Sequence, residues 1–121
     1  MNTIQEHIEK AEHNRHFLET VPTSSFPDWA IVVLFYRALH VTSAIIHSNG
    51  DNHGMSHAAR QKAVERHFTP ENAVAYEQLY SRSRLVRYDQ LLATRAEYEQ
   101  LMDRSFMPVL QEAQRKLPGI Q

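Results

Sequence analysis

The chain has 121 residues, of which 42% are hydrophobic and 22% charged, and a net charge of −1 with histidines counted neutral. That balance fits one globular domain with one modest core, and it excludes a disordered tail or a strongly basic duplex-DNA binder. With no cysteine, disulfides, thiol nucleophiles and thiolate zinc sites are excluded together, which suits a reducing compartment.

No apolar run follows a basic start, as a secretory signal would require, and the longest apolar stretch, Ala30–Tyr36, is followed by Arg37 and His40. It is too short and too polar to span a bilayer, so the expectation is a cytoplasmic protein without a membrane partner. The small net charge hides an asymmetry. Between Arg60 and Arg95, seven Lys/Arg stand against four acids, so this stretch is +3 on a body that is otherwise negative. A modest basic patch of this kind suits an anionic ligand.

Five helices and no strand are expected, forming an all-α, up-down bundle that occupies residues 1–121 as one domain. Asn2 or Thr3 caps the first, with Ile4, Ile8, Ala11, Leu18 and Val21 as its inward stripe and most of its glutamates off that stripe. Pro22 to Pro27 breaks the chain, and Pro27 opens the second helix with Asp28 in its first turn. That helix, roughly Pro27 to His47, is apolar on nearly all sides, including Trp29, which marks it as the central element. Ser48–Met55, with Asn49-Gly50 and Gly54, reads as a loop.

Ser56 caps a short third helix ending near Phe68. Thr69-Pro70-Glu71 then starts a fourth, which runs to about Tyr88 or beyond. The fifth spans roughly Thr94 to Lys116 with Pro108 inside it, where the helix should kink or split.

Three constellations carry possible chemistry. On the fourth helix, Tyr80, Arg84, Arg87 and Tyr88 lie along one side; arginine forks bind phosphate and tyrosine rings stack on bases, while the plainer reading pairs the arginines with Glu77 and Asp89. On the second helix, Arg37, His40 and His47 share a side and must find partners, line a cleft facing those arginines, or meet a second subunit. Glu9, His13 and His16 have the spacing of a helical metal face, but on an exposed helix they read as solvated charge. The loop histidines His53 and His57 add no spacing signal. No metal, no cofactor and no catalytic residue is assigned at this level.

The stretch from Phe26 to Asp89 resembles HEPN domains, the small helical domains of prokaryotic toxin–antitoxin and defence systems. The likeness rests on three pieces. One is Asp28-Trp29-Ala30 through Phe35-Tyr36-Arg37-Ala38-Leu39-His40. Another is Gly54-Met55-Ser56-His57, and the last is the run Tyr80 to Asp89, similar to the family's Arg-x-x-Ala-Asp-Tyr variant with Val86 and Arg87 in place of Ala and Asp. It covers about half of the chain.

The resemblance implies a four- to five-helix bundle that homodimerises. In active members it also implies a metal-independent ribonuclease built on an Arg-x4-6-His motif, with histidine as general acid/base and arginine holding phosphate. This chain departs there: no histidine stands at that spacing after Arg82, Arg84 or Arg87. The literal match Arg60-x6-His67 falls on a different helix, and such spacings arise by chance among this many arginines and histidines.

The expectation is therefore a non-catalytic or altered HEPN-like domain that binds nucleotide, RNA or a partner protein. The residues expected to do so are Arg84, Arg87, Tyr88, Tyr80, Arg37, His40 and His57. The alternatives are a ribonuclease with a rearranged Arg/His centre, recruiting His57 or His40 beside Arg84, and a purely structural interaction subunit.

Overall fold

The computed structural model describes residues 3–54, 56–88 and 93–121. Among them every regular element is helical: α1 (Ile4–Thr20), α2 (Pro27–Ser48), α3 (His57–His67), α4 (Pro70–Tyr88), α5 (Arg95–Leu101) and α6 (Met107–Lys116), with a single π-helical turn, Met102–Phe106, joining the last two. Short polar side chains set the starts. Thr3, Ser56, Thr69 and Thr94 each accept the backbone N–H three residues on, at 3.1 to 3.3 Å. Asn2 and any continuation of α4 past Tyr88 lie outside the described residues.

α2 begins without a side-chain cap. Pro27 starts it directly, and the Ser25 N–H closes a turn onto the Pro22 carbonyl at 2.9 Å. The long final helix is split where Pro108 approaches. Proline has no N–H to donate one turn back, and the preceding turn widens into the π segment that separates α5 from α6.

α2 is the axis of the bundle. It packs most extensively on α1, then on α4, and also on α6, α5 and α3. Ala30, Ile31, Leu34, Ala38, Val41, Ala44 and Ile45 are wholly buried by these neighbours. Burying a side chain such as Leu34 or Ile45 contributes about 1.5–3 kcal/mol. By length and composition α2 could cross a membrane, but most of its side chains are buried inside the bundle.

Two sequence expectations shift. Trp29, expected in the core, is 56% exposed near the N-terminal end of α2. In α1 the inward line is His7, Ala11 and Leu18, with His7 only 5% exposed and Ile4 turned outward at 37%. The line rotates because the facing side of α2 carries His40 and His47. His7 meets those rings, and Ile4 would not.

α3, α4 and α6 are joined by one buried carboxylate. Glu112 accepts from the Thr69 N–H (3.1 and 3.2 Å to its two oxygens), from Asn72 Nδ2 at 2.6 Å and from Lys116 Nζ at 2.7 Å. Lys116 also donates to the His67 carbonyl. Burial pushes the Glu112 carboxyl up, but Lys116, Asn72 and the Thr69 N–H outweigh it and hold the group below its ordinary value of 4.5.

Its contribution is therefore present above pH 4.5 and is lost as pH falls through that lowered value. Replacing Glu112 with alanine leaves buried donors unmatched, and urea unfolding at pH 7 should show a loss of about 1–3 kcal/mol. The same variant should lose less stability than wild type as the pH is taken from 5 to 3.

Candidate functional site

α4 presents Arg84, Arg87 and Tyr88 on a surface shared with the N-terminal half of α2. Arg87 Nη1 donates to the Tyr36 hydroxyl at 2.8 Å. Its guanidinium carbon lies 4.7 Å from the Tyr88 ring centre and 6.0 Å from that of Tyr36. Ring quadrupoles attract the cation, and the bond to Tyr36 fixes the fork while other Nη hydrogens remain to be matched.

Tyr88 is 67% exposed. Trp29, with Asp28, Val32 and Val86, lines a small cleft of about 100 Å³ against Arg87. The surface therefore offers a positioned cation beside open aromatic faces.

One turn back, Tyr80 continues the same side. Arg84 Nη1 reaches the Tyr80 hydroxyl at 3.5 Å, and the His57 ring lies flat on the Tyr80 ring, 3.3 Å between centres and 8° between planes. His57 Nε2 donates to Glu77 Oε2 at 2.9 Å. The Phe35 ring, packed against both Tyr36 and Tyr80, connects the two parts of this surface from below.

The carboxylate that the sequence offered to Arg84 is thus taken by His57. Arg82 pairs with Glu97 across to α5. Asp89 lies outside the described residues. Among the described residues neither Arg84 nor Arg87 has a carboxylate at ion-pair distance.

Five of the seven residues singled out from sequence therefore gather here: Tyr80, Arg84, Arg87, Tyr88 and His57. The other two do not. Arg37 is buried, with its guanidinium carbon 4.5 Å from the Phe106 ring centre and Nη2 donating to the Gln121 carbonyl at 3.3 Å. Burial lowers its pKa. A helix places residues three apart on neighbouring but distinct directions, and Arg37 takes the direction facing the π turn. It faces no arginine of α4 across a groove.

His40 turns instead to α1, where its Nδ1 lies 2.9 Å from His7 Nδ1. Tyr36 belongs to the site and the sequence reading passed over it. Its signal was an aromatic hydroxyl seven residues, or two turns, after Trp29 on one side of α2.

A larger groove, of about 720 Å³, lies elsewhere, between α3 and α4, lined by Gln61, Glu65, Val74, Glu77 and Arg82. It shares only Glu77 with the arginine–tyrosine surface, and its one lining arginine, Arg82, is paired with Glu97. No protein-family model, no curated protein and no solved structure matches the chain.

Proposed function

We propose that this chain is a HEPN-like, non-catalytic binding module that takes single-stranded RNA or a nucleotide on the surface of Tyr36, Arg84, Arg87 and Tyr88. The observation that carries the reading is the Arg87 guanidinium, held against the Tyr36 and Tyr88 rings with no carboxylate partner among the described residues. Arginine forks match phosphate oxygens, and an exposed ring stacks any base at about 1–3 kcal/mol per base. Arg84, one turn back beside Tyr80, supplies a second cation.

Non-catalytic binding is favoured over cleavage by the state of His57. Its Nε2 is engaged by Glu77, and its Nδ1 is shut off from solvent without a partner, so neither nitrogen is offered to a substrate hydroxyl. His40, bonded to His7, is no better placed. A homodimer is the assembly this reading includes. Trp29 and Leu85 are large apolar groups left in solvent around the arginines, and interface hot spots are rich in Trp, Tyr and Arg.

Fluorescence anisotropy with a labelled single-stranded oligoribonucleotide should show saturable binding that weakens as salt rises. The Arg84→Ala/Arg87→Ala double variant should bind at least about tenfold more weakly with a shallower salt slope, and Tyr88→Ala should lose about 1–3 kcal/mol. Unchanged binding by the double variant, with native circular dichroism, would make the patch structural. Incubated with labelled RNA and no metal, the wild-type protein should produce no fragments beyond those of His57→Ala. Light scattering should give twice the 14.1 kDa chain mass, and Trp29→Ala should shift the population toward monomer.

A further inference from the structure

The fold assembles a histidine cluster that no spacing in the sequence announces. His7 on α1, His47 in the last turn of α2 and His53 in the loop after it each bring a ring nitrogen within 4.8 Å of the other two. The rings pack on one another: His7 is stacked on His47 with 5.1 Å between centres, and His53 stands edge-on to His47 at 5.3 Å. Glu9, His13 and His16, spaced along one side of α1, contribute nothing to this group.

Hydrogen bonding fixes which nitrogens keep a lone pair. The Gly54 carbonyl can only accept, so His53 Nδ1, 2.6 Å away, must be the donor, and the lone pair is left on Nε2. That Nε2 is shielded from solvent and has no hydrogen-bond partner. An imidazole with one nitrogen committed to a backbone carbonyl and a bare lone pair on the other is the form in which histidine ligates metals. Gly54 adopts φ +69°, a backbone that other residues rarely enter, and this sets the carbonyl that receives the bond.

His7 repeats the pattern with a side chain in place of the backbone. Its Nδ1 sits 2.9 Å from His40 Nδ1, so one of the two donates and the other accepts. When His7 donates, its Nε2 carries the lone pair and His40 fixes the ring's orientation. In its neutral form each imidazole keeps one lone pair on a ring nitrogen. A neutral ring is what a metal ion requires of a histidine ligand.

The chemistry of the donors selects the ion. Three imidazoles with no carboxylate among them are poor ligands for calcium or magnesium, which take oxygen, and good ones for zinc, nickel or copper. Tetrahedral zinc at 2.0–2.1 Å bond lengths separates its ligand nitrogens by about 3.3 Å. The rings need close by only about 1.5 Å from their 4.8 Å limit.

We propose that His7, His47 and His53 bind a divalent transition-metal ion of the zinc class, with His40 orienting His7. Three protein ligands leave a fourth position for water or another small donor. The bound ion would tie the loop after α2 to both α1 and α2. The proposal uses none of the groups of the arginine–tyrosine surface, so either can fail without the other.

The test uses the tag-free protein with zinc or cobalt(II) as the only added probe. Titration should give one equivalent per chain, and cobalt(II) should show the intense ligand-field bands of four coordination. His53→Asn keeps a side-chain group that can bond the Gly54 carbonyl but removes the ligating nitrogen, and it lies in a loop where folding is spared. It and His47→Gln should each weaken zinc by at least about tenfold, while His13→Gln/His16→Gln should bind as wild type does.

As the positioning residue, His40 changed to Phe should weaken zinc by about 10–100-fold. His40→Asn, whose carbonyl can still accept from His7, should restore most of that and return the cobalt spectrum. Absence of stoichiometric binding, wild-type affinity in His53→Asn, or loss of affinity in His13→Gln/His16→Gln would overturn the site. Equal affinity in wild type and His40→Phe would overturn the orienting role.

Discussion

The burial of α2 is the constraint from which the rest of this molecule follows. A helix of this length, covered on most sides, leaves little solvent for the large polar groups it buries, and they draw partners from other elements. Arg37 finds Phe106 and a backbone carbonyl, His40 finds His7, and Tyr36 at the margin finds Arg87. At Tyr36, Arg37 and His40, then, other elements have committed side chains to α2. The arginine–tyrosine surface and the histidine cluster are two such places, on different neighbours of one helix.

Much of this was legible in the chain because it is written locally. Capping side chains at Thr3, Ser56, Thr69 and Thr94, and prolines at the first turns of α2 and α4, mark helix starts with groups only a few residues apart. The split at Pro108 is local in the same way. The side of α4 that bears Tyr80, Arg84, Arg87 and Tyr88 follows from helical geometry alone, and its exposure agrees with its charge.

What was not legible depends on which face of one helix meets which face of another. An apolar count chose Ile4 for the core of α1. The partner surface on α2 is partly imidazole, and it selected His7. Arg37 and His40, three residues apart, share a side by spacing yet diverge to Phe106 and His7, because two different helices flank α2 there. Glu77 was offered to Arg84 by proximity in sequence and went to His57, brought in from a loop and helix twenty residues earlier. Spacing rules see one helix at a time, and these pairings each join two.

The Glu112 carboxylate has a consequence for how the molecule opens. It is bonded to the Thr69 N–H from 43 residues away in the chain, at the exposed joint where α3 hands over to α4. The first turn of a helix ordinarily frays independently of its surroundings, but this one is closed by a group anchored in α6. Fluctuations at the start of α4 are therefore tied to those at the end of α6. Amide hydrogens at the two ends should be released together as one cooperative unit.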